Sequence, residues 1–350
     1  MSNRSPFALY RRPRKRGAPV YYVRLREHGT GRYGIARSTG KTTKAAARAY
    51  AFELLRAGID GATEDPRLVD FLLSFWDYER SPYVRDKLAR GGMMSRSHCR
   101  KSAQLVELHV RPYFRERRIL DITAADFSDW MARMRADGRS PHTVNAARQC
   151  VNSALNWLAE QRRLPWNPLS IARPYHEDHK RRGILTVAEL RALLALEDID
   201  PRIRVAITLG SLCGMRLGEI RALRWGDIAE DLVHVHRSYV LIDGDRPTTK
   251  NGSARDVPLP EPARKALQAW RTASPAPRSE DYIMAHLNHL ERPIAPDVVL
   301  TNFKSALRRI GVTEAARVER NIVFHSCRHW FNTTLRNQVP DSVLRRLTGH

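Results

Sequence analysis

Three prolines near the middle of the chain, Pro165, Pro168 and Pro174, divide it into two parts. Proline lacks a backbone N–H and disfavours a helical residue before it, so helices end at such positions. The prolines lead into the polar and charged segment 173–183. A length of 350 residues is normally shared by about two or three domains. We therefore expect an interdomain linker at 173–183, with separate domains before and after it.

The chain is strongly basic, with a net charge of +23 and 60 Lys or Arg residues. Residues 1–60 hold 14 of these against three acidic residues. So large a charge favours a polyanionic partner, and nucleic acid is the commonest one, with membrane surfaces the weaker alternative. No stretch approaches the length of a transmembrane span, and residues 1–16 lack the apolar centre of a signal peptide. We expect a soluble, cytoplasmic protein with no membrane partner.

Residues 1–62 have the pattern of a small basic domain, a sheet backed by one helix. Residues 11–16 resemble a flexible basic arm, residues 21–25 and 33–38 are predicted strands, and residues 43–56 are a predicted helix. A disordered tail with an incidental helix is the alternative. The side chains predicted to contact DNA phosphates in this segment are Arg11, Arg12, Arg14, Lys15, Arg16 and Arg24.

Residues 67–172 show helical periodicity and predict a helical bundle. The clearest helix follows Ser140, which can cap it, and Pro141, which suits the first turn. Arg148 and Asn152 flank the apolar stripe of this helix, and we predict that they contact DNA. A charged helix face that is only solvated is the alternative.

A new domain is predicted from Ile184, and it contains two arginines near helix starts. Arg216 follows a turn at Gly214, and Glu219 lies three residues on, where it can hold the guanidinium group in position. Arg328 lies three residues after His325, so both side chains share one helix face. A guanidinium group matches two oxygens of one phosphate. The pair of arginines therefore predicts a clamp for a phosphodiester that gains negative charge.

Lys250 precedes an Asn-Gly turn between predicted strands at 232–240 and 255–259. A lysine at a hairpin tip can donate a proton to a leaving oxygen, although hairpin lysines are more often only solvated.

His325 and His329 are four residues apart, which is a metal-ligand spacing. No HExxH pattern or further carboxylate supports zinc, so we predict neither a metal nor a cofactor. The four cysteines form no paired metal spacing and are predicted to be reduced, buried thiols.

Four fragments in this order resemble the tyrosine recombinase family, the phage-integrase type of site-specific recombinase. They are Gly214-Met215-Arg216-Leu217-Gly218-Glu219-Ile220 with Leu223-Arg224-Trp225-Gly226-Asp227-Ile228, Thr249-Lys250-Asn251 ahead of Arg255-Asp256-Val257-Pro258-Leu259, His325-Ser326-Cys327-Arg328-His329, and Leu347-Thr348-Gly349-His350. Each fragment is modest by itself, but their order is specific.

The resemblance implies a multidomain fold, mainly α with small β-sheets. Residues 1–62 are similar to an arm-type DNA-binding domain, a small β-sheet plus a helix. Residues 67–172 resemble the helical-bundle core-binding domain, and residues 184–350 resemble the α+β catalytic domain of tyrosine recombinases.

The resemblance also implies a reaction, DNA strand cleavage and rejoining through a covalent 3′-phosphotyrosyl link without metal or nucleotide. Arg216, Arg328 and His350 would hold the non-bridging phosphate oxygens. Lys250 would protonate the 5′ leaving oxygen, and His325 would act as general base or proton carrier, with Glu219 as support. The implied partners are double-stranded DNA at attachment or recombination sites, three further copies in a homotetramer on DNA, and DNA-bending accessory proteins.

Members of the family place the nucleophilic tyrosine a few turns beyond the position that His350 matches, so the resemblance implies a nucleophile beyond His350. None of Tyr239, Tyr282 or the upstream tyrosines lies in the matching context. The expected protein is a C-terminally truncated integrase that binds DNA but is inactive alone. Two other classes stay open, a non-catalytic DNA-binding or architectural protein on the same fold and a type IB topoisomerase-like enzyme. The basic N-terminal segment and the separate helical domain favour recombination between defined sites.

Overall fold

The computed structural model of the protein describes residues 5–13, 18–26, 33, 36–57, 65–161, 163–164, 166–178, 182–246 and 254–349. The chain forms two compact units, Met1–Glu177 and Asp178–His350. Both are mainly helical with small antiparallel sheets, so the predicted fold class is confirmed. No helix in the described ranges is long and apolar enough to cross a membrane.

The first unit contains one small sheet and a bundle of helices. Its strands are β1 (Phe7–Arg12), β2 (Val20–Leu25) and β3 (Arg37–Ser38), paired in that order. Its helices are α1 (Lys44–Ala57), α2 (Leu68–Phe75), α3 (Pro82–Ala89), α4 (Arg96–Leu105), α5 (Arg111–Phe114), α6 (Ala124–Ala136) and α7 (Pro141–Glu160). A π-helical turn at Val106–Val110 and 3₁₀ turns at Ile119–Asp121 and Pro168–Ser170 complete it.

The sheet differs from the sequence prediction at both ends. Residues 11 and 12 belong to β1 and not to a flexible arm, because Phe7 and Leu9 of the same strand pack with Val23 against α1. Of the predicted strand 33–38, the described residues form β3 at Arg37–Ser38, which pairs with β2, and an isolated bridge at Tyr33. The helix after Ser140 begins as predicted, since the Ser140 hydroxyl accepts the Thr143 N–H.

The second unit surrounds the buried helix α9. Its helices are α8 (Val187–Ala195), α9 (Pro201–Leu212), α10 (Leu217–Ala222), α11 (Glu261–Ala273), α12 (Pro296–Arg309), α13 (Glu314–Glu319), α14 (His325–Leu335) and α15 (Asp341–Thr348). Its strands are β4 (Leu232–Val235), β5 (Ser238–Val240), β6 (Gly244–Arg246), β7 (Arg255–Pro258), β8 (Ala285–His286) and β9 (His289–Pro293). They form three two-stranded sheets, β4 with β7, β5 with β6 and β8 with β9.

The strand predicted at 232–240 is interrupted between β4 and β5, which belong to different sheets. Arg237 lies in the interruption and donates to the Asp227 carboxylate at 2.5 Å. The four cysteines are buried thiols, as predicted. Burial raises the pKa of Cys213 and Cys327 to about 12, so neither is a reactive thiolate.

Candidate active site

A glycine turn brings the start of α10 against α14. Gly214 has a positive φ of +62°, and a Cβ on it would lie 2.4 Å from the Phe331 ring. Only glycine combines this conformation with so close an approach. The turn leaves Arg216 at the N-cap of α10, near a helix start as predicted.

Glu219 lies under the start of α10 and orients Arg216. Its carboxylate accepts the Arg216 backbone N–H at 2.9 Å and the Arg216 Nη1 at 2.8 Å. The same carboxylate accepts two hydrogen bonds from Arg255, at 2.7 and 3.2 Å. Burial alone would raise the pKa of Glu219, but the hydrogen bonds and charge of Arg255 outweigh it, so the pKa is lowered. Glu219 is therefore an ionised carboxylate shared by two guanidinium groups.

Arg328 is almost completely buried, with 2% of its surface exposed. Its Nη1 donates to the Gly214 carbonyl at 2.6 Å, and its Nη2 donates to the Thr348 carbonyl. Among the described residues no carboxylate forms an ion pair with it. Burial and the neighbouring charge of Arg216 lower the pKa of Arg328 to about 10, so it stays charged at neutral pH.

Three arginines meet at the last turn of α15. Three consecutive carbonyls accept from them, Leu347 from Arg255 at 2.8 Å, Thr348 from Arg328, and Gly349 from Arg216 at 3.2 Å. Gly349 ends the helix in the left-handed conformation that favours glycine. Cations suit this end of a helix, where the backbone dipole is negative. The two predicted phosphate-binding arginines are thus brought together, although 112 positions separate them along the chain.

His325 lies at the start of α14, one turn before His329, and the two rings are 4.9 Å apart. Burial lowers the pKa of His325 to about 4, and the charges of His329, Arg328, Arg182 and Arg216 add to the effect. The imidazole is therefore neutral near pH 7 and offers one donor and one acceptor nitrogen. No cluster of three metal-ligating side chains occurs in the part of the chain that the structure describes.

The neutral state of His325 leads to a testable pH dependence. Because its folded pKa is lowered, the unfolded chain takes up the proton first as the pH falls. The stability contributed by neutral His325 is fully present above its unfolded pKa of about 6.5 and is lost as the pH falls towards about 4. We expect NMR titration of the DNA-free protein to show His325 unprotonated down to about pH 5. A midpoint near pH 6.5 for the signal that His325→Gln removes would contradict this.

Two predicted catalytic residues, Lys250 and His350, lie outside the described residues. Tyr239 and Tyr282 have contacts within the second unit. The Tyr282 hydroxyl donates to Asp245 at 2.7 Å, and its pKa is raised to about 12 by burial and by that carboxylate. The Tyr239 ring packs edge-on against Tyr282, with the Arg221 guanidinium 5.0 Å from its centre. The raised pKa of Tyr282 disfavours a nucleophilic phenolate.

Of the predicted DNA contacts in the small sheet, Arg11, Arg12 and Arg24 are exposed. The Arg12 guanidinium lies 4.9 Å from the centre of the Tyr22 ring, and that of Arg24 lies 5.5 Å from the centre of the Tyr10 ring. Arg14, Lys15 and Arg16 lie outside the described residues. The exposed cations therefore stand beside aromatic rings on β1 and β2.

The predicted DNA contacts of α7 have partners within their own unit. Arg148 Nε donates to the Ala172 carbonyl at 2.8 Å, and Asn152 Oδ1 accepts from Asn167 at 2.8 Å. Both side chains are half-buried and hold the segment after α7 against the helix. Their contact with DNA stays a prediction.

Sequence analysis missed Arg255. This residue is part of the second motif, but no function was predicted for it. The available signal was the alternation of β7, in which Arg255 and Val257 are buried while Asp256 and Pro258 are exposed. An arginine on the apolar face of a strand needs a buried partner. Its partner, Glu219, is 36 positions away, and no local pattern indicates the pair.

Most of the second unit matches a known protein family. The model of the phage integrase family matches residues 184–350. Residues 184–350 therefore belong to the phage integrase family. The resemblance seen in the sequence is therefore confirmed, and the matched residues include Arg216, Glu219, Arg255, His325 and Arg328.

The similarity to known integrases extends beyond residues 184–350. The integrase of Escherichia phage HK022 is 25% identical over 242 residues, which are 69% of this chain and 64% of that protein. The integrase of Streptomyces ambofaciens is 25% identical over 343 residues, 92% of this chain and 83% of that one. A lambda integrase tetramer bound to a Holliday junction superposes with a TM-score of 0.58 at 16% identity, over 98% of this chain and 95% of that chain. The fold is shared along nearly the whole chain.

Proposed function

We propose that the protein is a site-specific DNA recombinase that cleaves and rejoins DNA strands through a 3′-phosphotyrosyl link. The observation that carries this proposal is the burial of Arg328 beside Arg216, with backbone carbonyls as its partners. A buried cation is costly unless an anion compensates it. A phosphodiester is such an anion, and its two non-bridging oxygens fit the guanidinium forks.

The charge of the site suits a phosphoryl transfer. Arg216, Arg255 and Arg328 supply three cations, and Glu219 is the one carboxylate that pairs with them among the described residues. This excess of positive charge stabilises a transition state in which the phosphate becomes more negative. In the proposed mechanism Arg216, Arg328 and His350 hold the non-bridging oxygens.

The proton transfers are assigned to two further residues. Lys250 protonates the 5′ leaving oxygen as the bond between phosphorus and that oxygen breaks. Neutral His325 accepts or relays the proton of the attacking hydroxyl. The proposed nucleophile is a tyrosine beyond His350, where the resemblance to the tyrosine recombinase family implies it.

Duplex DNA is the proposed partner, bound as recombination or attachment sites. We propose that Arg11, Arg12 and Arg24 contact phosphates through the small sheet, and that Arg14, Lys15 and Arg16 contact phosphates as well. Arg148 and Asn152 are proposed contacts of the helical bundle. The tetrameric state of the lambda integrase of similar fold supports four copies on DNA, with DNA-bending accessory proteins as further proposed partners.

The test uses the full-length protein, meaning this chain extended beyond His350 to the proposed tyrosine, and a site selected by binding from random duplexes. The selected duplex is nicked near the cleavage position, so that a short 5′-hydroxyl fragment diffuses away and traps the covalent state. We expect an adduct that survives denaturing electrophoresis. Bound protein that gives no adduct would indicate an architectural protein instead. Relaxation of any supercoiled plasmid without site preference would indicate a topoisomerase-like enzyme.

A further inference from the structure

We propose that Arg255 is a positioning residue of the strand-cleavage site, holding Glu219 and the end of α15 so that Arg216 faces the phosphate. This inference rests on the proposed function and extends it to a residue on β7. Arg255 has 3% of its side chain exposed, and its Glu219 partner has 1%. Both Nη atoms of Arg255 donate to the Glu219 carboxylate, so Arg255 suits a supporting role and direct contact with DNA is not required of it.

The first line of support is the way Glu219 is shared. Oε1 of Glu219 accepts from Nη1 of both Arg216 and Arg255. Oε2 accepts from the Arg216 backbone N–H and from Arg255 Nη2. The planar fork of Arg255 thereby fixes the plane of the carboxylate. Since that carboxylate is what orients Arg216, a change at Arg255 reaches Arg216 through Glu219.

The charges around Glu219 also support a positioning role for Arg255. With Arg255 present, Glu219 is neutralised by a cation that does not need to leave it. Without Arg255, Arg216 would be the one arginine among the described residues left to compensate the buried Glu219 carboxylate. Arg216 would then bind Glu219 more tightly and offer less net charge to a phosphate. Arg255 thus makes the charge of Arg216 available for the transition state.

Arg255 also contacts the end of α15. Arg255 Nε donates to the Leu347 carbonyl, directly before the carbonyls that accept from Arg328 and Arg216. A Cβ on Gly349 would lie 3.0 Å from Arg255 Nη1, so the helix end packs tightly on this guanidinium. Arg255 therefore holds β7, α10 and the last turn of α15 in one arrangement.

The experiment compares Arg255→Ala and Arg255→Lys with the matched control Arg202→Ala in the full-length protein. Arg202 is also a buried arginine in the same unit, with hydrogen bonds to the Asp200 carboxylate and the Ala285 carbonyl. Folding is followed by thermal unfolding, DNA affinity by titration, and cleavage by the single-turnover rate at saturating nicked duplex. All rates are measured well below the unfolding midpoint of each variant.

We expect Arg255→Ala to lower the cleavage rate by about 10–100-fold, the scale found when a group that orients a ligand is lost. DNA affinity should change less than about threefold, because phosphate contacts elsewhere dominate binding. Arg255→Lys keeps the charge but cannot form the same three hydrogen bonds, so it should recover stability and only part of the rate. Arg202→Ala should lose stability and keep its rate.

A double-mutant cycle with Glu219→Gln tests whether Arg255 acts through Glu219. The two substitutions together should cost about as much in rate as the larger single one, because residues in one network are not additive. Additive losses would overturn the proposed route. A normal rate for Arg255→Ala, or full recovery by Arg255→Lys, would overturn the positioning role. If Arg255→Ala fails to fold, the cleavage rate of Arg255→Lys alone decides whether Arg255 has the positioning role.

Failure of this inference is distinguishable from failure of the proposed function. A wild-type protein that binds DNA without forming an adduct would remove the proposed function. An active wild type with inactive Arg216→Ala and fully active Arg255→Ala would remove only the role of Arg255.

Discussion

Replacement of Arg328 by alanine in the full-length protein is expected to lower the single-turnover rate of DNA cleavage by roughly 10²–10³-fold or more. This is the scale of losing one donor to an oxyanion in a transition state. The same loss is expected for Arg216→Ala. Both guanidinium groups lie at the end of α15 and are held by backbone carbonyls, so their orientation is already set before DNA binds.

The measurement is trapping of covalent adduct on a nicked duplex at saturating DNA. Arg264→Ala is the control, because Arg264 is a partly exposed arginine of the same unit that pairs with Asp231 and Glu261. It should cleave normally. Arg328→Ala with near-normal cleavage would remove Arg328 from the proposed site, and the same result for Arg216→Ala would remove Arg216.

The second large effect is the dependence of DNA affinity on salt. Each phosphate neutralised contributes about −0.9 to the slope of log K against log salt. A protein with about six to ten phosphate contacts therefore loses about 10³–10⁵-fold in affinity between 50 and 200 mM salt. The net charge of +23 and the exposed arginines of the small sheet lead us to expect a dependence of this size.

Titration of fluorescent duplex at several salt concentrations measures the slope. Arg12→Ala and Arg24→Ala should each make it less steep by about 0.9, as for one lost phosphate contact. Arg317→Ala is the control, since Arg317 is occupied by Glu314 and by the Ile322 carbonyl. A flat profile in the wild type would contradict a clamp made of phosphate contacts.

Sequence analysis predicted the parts of the site that local spacing determines. The Gly214 turn, the pairing of Glu219 with Arg216 and the shared helix of His325 with Arg328 all span a few residues. Each follows from helix geometry and turn chemistry. The family resemblance then predicted that the two arginines meet, and the structure shows them at adjacent carbonyls of α15.

Contacts across long sequence separations were not predictable. The donation from Arg255 to Leu347 spans 92 positions, and that from Arg216 to Gly349 spans 133. The bonds of Arg148 and Asn152 to the segment after α7 depend on how that segment folds back. Strand limits were also inaccurate, because the pairing partner decides where β3 begins and where β4 ends.

The last turn of α15 has a consequence for how the site assembles. Its carbonyls satisfy N–H groups of three guanidinium ions in or near the core of the second unit. If α15 moved away, several buried donors would lose their acceptors together, each at a cost of about 1–3 kcal/mol. Partial detachment is therefore unfavourable, and the arginine cluster and the docked helix form cooperatively, as a single all-or-none structure.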